Sequence, residues 1–234
     1  MAVQAAGLVE ERRINAVESA FEKITANPFW HYRYGEKADR AILKDLNFNI
    51  DYLVSALRLL NPGTLTYYYR WQRDLLSPRG MCTRHLLETQ AALHSSLTAD
   101  LPELAIPLAP YVLASASGLA YDLPACRELH WQEDSTAEAA ALCAVPQEAA
   151  ESARLRANCA QHNRYFVSYL LDAVAASAPA RLLTHLQWIA GFLEPLGIAP
   201  VSLQTILRCL RVEIEARLPA HAAPFIEVLN RADL

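Results

Sequence analysis

Residues 34–60 read YGEKADRAILKDLNFNIDYLVSALRLL, and this stretch decides the fold. Ile42, Leu46, Ile50, Leu53, Leu57 and Leu60 stand three or four residues apart, the spacing of one face of an α-helix. The same stepping runs along nearly the whole chain, and sustained alternation of period two is absent, so the sequence predicts an all-α protein. Helix ends are marked by Asn27-Pro28, Asn61-Pro62-Gly63, Ser77 to Gly80, Leu101-Pro102, Val145-Pro146, Ala178-Pro179, Gly197 to Pro200 and Leu218-Pro219. Between these breaks fit about nine helices. Long ones are expected over about residues 34 to 60 and 147 to 177, and Ser135 followed by Glu138 has capping-box spacing for a helix start after residues 122–134.

Sliding the chain against itself extends the reading. At an offset of 117, half the length, 16 of the 56 positions from Tyr52 to Pro107 are identical, without a gap. Composition alone gives about 5. The matches include Tyr52 with Tyr169, Ala56 with Ala173, Pro62 with Pro179, Trp71 with Trp188, Gly80 with Gly197, and Leu101-Pro102 with Leu218-Pro219. The expectation is a tandem duplication, with one helical repeat in residues 1–124 and another in 125–234, packed either as two domains or as one unit about a pseudo-two-fold axis.

Composition narrows the class. Of 234 residues, 53% are hydrophobic and 20% charged, which is enough apolar material for a substantial core and excludes a disordered chain. A net charge of −4 supplies no global basic field, so neither nucleic acid nor an anionic membrane is expected as a partner. The 18 uncharged residues between Glu103 and Asp122 contain Pro107, Pro110 and Gly118 and read as an interrupted buried helix rather than a membrane span. Five cysteines, an odd number, and an opening stretch with no apolar signal segment point to a cytoplasmic protein.

Chemistry-bearing residues are few. Cys82 with His85 and Cys159 with His162 are each spaced for one helical face, but neither forms the two-pair arrangement of a structural zinc site. No nucleophile elbow, phosphate loop or Glu-x-x-His pair is present, so no metal site and no catalytic residue is assigned. Two features of the first repeat stand out. Aromatic residues crowd it, among them Tyr52, Trp71 and the run Tyr67-Tyr68-Tyr69, which spans about 200 degrees of a helix and so turns one ring away from the core. Asn49 falls in the middle of the apolar stripe and Asp45 on its edge beside Tyr52, where a polar group needs a partner; Lys44 lies on the far side. Asp45 is read either as a contact to another helix or as a grip on a ligand. The second repeat has His162 and Phe166 in place of Asp45 and Asn49.

At these residues the chain resembles the phycobiliprotein superfamily, globin-like helical proteins that bind linear tetrapyrroles (bilins). The second repeat is similar to the family's chromophore segment in Cys159-Ala-Gln-His162, Tyr165 to Leu170, and Leu196-Gly-Ile-Ala-Pro200 with Ser202; the first in Ile42-Leu-Lys44-Asp45, Phe48 to Leu53 and Arg79-Gly80. In that family the cysteine forms a thioether to the bilin, a basic residue meets a propionate and the aspartate accepts from pyrrole nitrogens. The second repeat keeps Cys159 but has Gln161 and His162; the first keeps Lys44 and Asp45 but has Ile42 in place of the thiol. The resemblance therefore implies a globin-like fold and non-covalent binding in the first repeat, as in the cysteine-less relatives associated with bilin biosynthesis. Asp45, Asn49, Tyr52, Tyr68 and Trp71 would line the site, with Arg40 and Lys44 as cations and Cys159 and His162 as second-repeat counterparts.

The expected function is a non-catalytic bilin-binding protein. Two other readings stand beside it: a helical sensory or interaction domain that self-associates through its aromatic residues, and a metal-dependent enzyme.

Overall fold

The computed structural model describes residues 2–145, 152–193 and 201–232. Among them every regular element is helical and none is a strand. The chain divides into two compact units, Met1–Leu75 with His85–Ala120, and Leu76–Arg84 with Tyr121–Leu234. The connector between the fifth and sixth helices thus belongs to the second unit, although both helices are encoded in the first half of the chain.

The first unit is built on α1 (Ala2–Glu11), α2 (Arg13–Thr25), α3 (Phe29–Tyr34), α4 (Ala38–Arg58), α5 (Gly63–Leu76), α6 (Thr83–Asp100) and α7 (Ala105–Leu119). Helix α4 is the axis, packed against α1, α2 and α7. Its buried stripe runs Ala38, Ile42, Leu46, Asn49, Ile50, Val54 and Leu57. Full burial of each large aliphatic chain contributes about 1.5–3 kcal/mol. The helix closes with Leu60 in the left-handed region at φ 52°, its N–H donating to Leu57 C=O and that of Asn61 to Ala56 C=O, which satisfies two carbonyls of the last turn. Asn61 Oδ1 then accepts from Gly63 N–H and starts α5.

The second unit contains α8 (Pro124–Trp131), α9 (Glu133–Ala144), α10 (Ser152–Ala175), α11 (Ala180–Leu193), α12 (Val201–Arg217) and α13 (Ala223–Asn230). Helix α10 packs on α8, α9, α11 and α13, and α12 on α9 and α13. Adding 117 to the bounds of α5 returns those of α11, and the end of α4 returns the end of α10. The end of α10 repeats that of α4: Ser177 is left-handed at φ 50°, its N–H donates to Val174 C=O and that of Ala178 to Ala173 C=O. Cys143 on α9 and Cys209 on α12 are joined by a disulfide. The buried Asp172 carboxylate accepts from the Thr83 N–H at 2.8 Å, the Thr83 hydroxyl at 2.6 Å and the Tyr121 hydroxyl at 2.9 Å, so a side chain from α10 caps the connector where α6 begins.

Three expectations need correction. Thirteen α-helices are described rather than about nine, because the chain also breaks at Gly35, between Leu119 and Pro124, and at Arg12 and Gln132, where the backbone turns carry no proline or glycine. The first long helix begins at Ala38, not near residue 34, because Gly35 adopts φ 61° and ends α3. Ser135 lies inside α9, where its hydroxyl donates to Gln132 C=O, so it caps nothing. The break at Pro146, the start near 147 and the segment Gly197 to Pro200 lie outside the described residues. The uncharged stretch forms α7, and no described helix is long and apolar enough to cross a membrane.

Candidate functional site

The site grows from one polar residue in an apolar stripe. Asn49 is buried on α4, and its Oδ1 accepts from the Tyr68 hydroxyl at 2.7 Å and, more weakly, from Gln72 Nε2 at 3.5 Å. Tyr68 and Gln72 are one turn apart on α5, so a single amide ties two successive turns of that helix to α4. One turn along α4 from Asn49, Tyr52 lies over Tyr68, the rings stacked with centroids 3.8 Å apart and an interplanar angle of 19°. Trp71 extends the group, 6.0 Å from Tyr68 and tilted by 33°. Tyr68 is buried, whereas Tyr52 and Trp71 are exposed.

One turn before Asn49, the Asp45 carboxylate is half-buried and has no hydrogen-bond partner among the described residues. Burial pushes its carboxyl above the ordinary range, and neighbouring Lys44 only partly opposes this. The Tyr68 phenol is pushed far up, mainly by burial, with Tyr69, Asp45 and Tyr52 adding to it. Gln72 Oε1 is buried and likewise lacks a partner. A neutral, hydrogen-bonded aromatic group thus stands with a buried, unsatisfied acceptor, Gln72 Oε1, and a half-buried carboxylate that no described protein donor meets.

The structure therefore brings five of the expected residues together, Asp45, Asn49, Tyr52, Tyr68 and Trp71. Arg40 and Lys44 lie on the exposed side of α4, with Lys44 Nζ 5.6 Å from the centre of the Phe48 ring. Cys159 and His162 belong to the second unit, on α10. The Cys159 thiol is pushed up by burial and faces Asn163 Oδ1 at 3.9 Å, which makes it a poor nucleophile. Of the other Cys-His pair, Cys82 precedes α6 and is buried in the second unit's core, while His85 stacks on Phe29 in the first unit with centroids 4.3 Å apart. Among the described residues no group of three or more His, Cys, Asp or Glu could hold a metal ion.

On its other side Asn49 lines a cavity within the first unit, with about 30 Å³ of space for the centres of water-sized molecules. Tyr69 from α5, Gln90 and His94 from α6, and Tyr111 and Ser115 from α7 share its wall with leucines. The α4 stripe pointed to Asn49 but not to these five residues. A signal for them was present in the offset of 117, where most of their counterparts are apolar.

Comparison with protein families, with curated proteins and with solved structures finds no match for this chain.

Proposed function

We propose that this chain is a non-catalytic binding protein that takes a linear tetrapyrrole, without a covalent bond, on the aromatic and acidic face of α4 and α5. The observation that carries this reading is the Asp45 carboxylate, half-buried and unpartnered beside Tyr68. A flat, conjugated ligand with several pyrrole N–H groups supplies the donors that such a carboxylate lacks and the surface that Tyr52 and Trp71 would cover. Arg40 and Lys44, at the exposed rim of α4, would meet propionates. The cavity that Asn49 lines is too small for such a ligand, since sites for ligands of this class run to several hundred Å³ or more. The tetrapyrrole is therefore assigned to the outer face, with the exposed Tyr52 and Trp71 side chains making room.

A globin-like duplication belongs to the same proposal. Its duplication part is supported by the paired left-handed residues Leu60 and Ser177 and by the paired ring stacks Tyr52–Tyr68 and Tyr169–His185, each 117 positions apart. The cytoplasmic setting expected from the sequence also goes with it, and there Cys143 and Cys209 would be held as thiols.

The test is an absorbance titration with biliverdin and with reduced bilins. Ordering an extended tetrapyrrole strengthens and shifts its long-wavelength band; Asp45→Asn abolishes or alters that shift, and His162→Asn leaves it in place. An unchanged spectrum on adding any of these pigments to the native protein sinks the proposal. A second reading, a self-associating interaction domain, is favoured by Tyr67 and Trp71, which are 76% and 54% exposed. It predicts concentration-dependent dimerisation in sedimentation velocity that Tyr67→Ser with Trp71→Ser removes.

A further inference from the structure

The cavity beneath Asn49 is lined by polar groups that the protein itself leaves unsatisfied. Asn49 uses its Oδ1 for Tyr68 and Gln72, and its Nδ2 has no partner among the described residues. Gln90 donates from Nε2 to Val112 C=O at 3.0 Å, which leaves its Oε1 without one. The Tyr69 hydroxyl also has none, and burial pushes its phenol far up. Asn49, Tyr69 and Gln90 are 2%, 4% and 8% exposed, so these groups face little solvent beyond the cavity they line. Buried polar groups in folded proteins are satisfied by protein or by ordered water, and a ligand that takes the water's place must reproduce its hydrogen bonds. Half-buried His94, whose imidazole burial pushes below its ordinary value, completes the polar lining.

The second unit shows that this fold does not require such a cavity. At an offset of 117, Asn49, Tyr69, Gln90, Tyr111 and Ser115 correspond to Phe166, Leu186, Leu207, Val228 and Ala232, all in the second unit's apolar core. The apolar wall is kept, with Leu53, Leu65 and Leu93 matched by Leu170, Leu182 and Leu210. The other apolar positions stay apolar, and of the six polar ones five turn apolar while His94 corresponds to Arg211; a polar group at those five positions is the choice that costs stability.

We propose that this cavity is a binding site for a small uncharged molecule that both donates and accepts hydrogen bonds, held by Asn49, Tyr69 and Gln90. Asn49 Nδ2 donates to the ligand's acceptor, Gln90 Oε1 accepts from its donor, and the Tyr69 hydroxyl does either. No carboxylate or permanent cation lines the wall, so an ion has no counter-charge there. The space holds about two waters, or one molecule of the size of formamide. This site does not rest on tetrapyrrole binding, which concerns the outer face of α4 and α5.

The test uses the full chain, isotope-labelled, with the side-chain amide resonances of Asn49 and Gln90 followed by NMR during titration with formamide and, separately, under xenon as an apolar probe of similar bulk. The expected result is a saturable shift of both amides with formamide and none with xenon. Tyr69→Phe, which removes one hydroxyl and keeps the ring, weakens formamide binding by about two- to tenfold. Gln90→Leu, which installs the second unit's residue, abolishes the Asn49 shift. Should Gln90→Leu fail to fold by circular dichroism, Tyr69→Phe carries the test. A shift that rises linearly without saturating, a saturable shift under xenon, or formamide binding unchanged in Tyr69→Phe each overturns the proposal.

Discussion

The α4–α5 pair of the first unit and the α10–α11 pair of the second carry one aromatic arrangement over different chemistry. Tyr52 stacks on Tyr68 at 3.8 Å and 19°, with Trp71 tilted against Tyr68 at 6.0 Å and 33°. Tyr169 stacks on His185 at 3.7 Å and 17°, with Trp188 tilted against His185 at 5.7 Å and 31°. Beneath the stack, the first unit places the Asn49 amide and the second the Phe166 ring. The outer ring also differs: Tyr52 is partly exposed, whereas Tyr169 is fully buried and donates its hydroxyl to Gly80 C=O at 2.6 Å. The shared stack holds two helices at a junction. The residues that differ, Asp45, Asn49 and Gln72 against His162, Phe166 and Ile189, are therefore where a separate task for the first unit is to be sought.

The largest effect expected at the matched pair is on the apolar side. Phe166→Ala removes a buried ring from the second unit's core and should lower stability by about 3–5 kcal/mol in denaturant unfolding. A loss under 1 kcal/mol would mean that the second junction is not the packed counterpart of the first. The disulfide sharpens the contrast next, because Cys143 and Cys209 have Ala26 and Ala92 as counterparts. Its cysteines are 66 residues apart, so chain entropy gives the oxidised second unit about 4 kcal/mol over the dithiol. Thermal melts with and without a thiol reductant should separate by a corresponding shift, and Cys143→Ser should be insensitive to the reductant.

At the first unit's own junction, Asn49→Ala leaves the Tyr68 hydroxyl without its acceptor. The expected loss is about 1–3 kcal/mol, less than at position 166 because no large cavity is opened. Equal losses at the two positions would break the distinction between a polar and an apolar junction.

The smallest effect concerns Asp45. Its carboxyl is raised in the folded state, chiefly by burial, so the folded protein holds that proton more tightly than the unfolded chain does. The contribution of this group to stability therefore falls as pH rises from the ordinary carboxylate value through the raised one, and it is least at neutral pH. Asp45→Asn removes this dependence and should leave the ligand-free protein at pH 7 at least as stable as the native one. A lower melting temperature at pH 7 would give the carboxylate a structural partner and detach it from ligand binding.

Much of this was legible before any coordinates. The period of 3.6 in residues 38–60 is read out as α4, with Asn49 inside and Lys44 outside, because side-chain direction along one helix follows from spacing alone. Asp45 at the edge of the stripe is half-buried for the same reason. Breaks at Asn61-Pro62 and Ala178-Pro179 coincide with helix ends, since proline removes a donor and the residue before it avoids helical geometry. The breaks at Arg12 and Gln132 carry no such mark in composition, so spacing alone runs those helices together.

Periodicity tells which face of a helix is buried but not what lies against it. That Gln90 and His94 of α6 share a cavity with Asn49 of α4, that Cys143 finds Cys209, and that Asp172 caps the connector at Thr83 are associations between residues 40 or more positions apart. Each depends on how whole helices pack against one another, which no local spacing encodes. The helices and their inward residues follow from the order of side chains along the chain; the cavity, the disulfide and the allocation of residues 76–84 to the second unit follow from long-range packing, where burial and hydrogen bonding are settled for all the neighbouring elements at once.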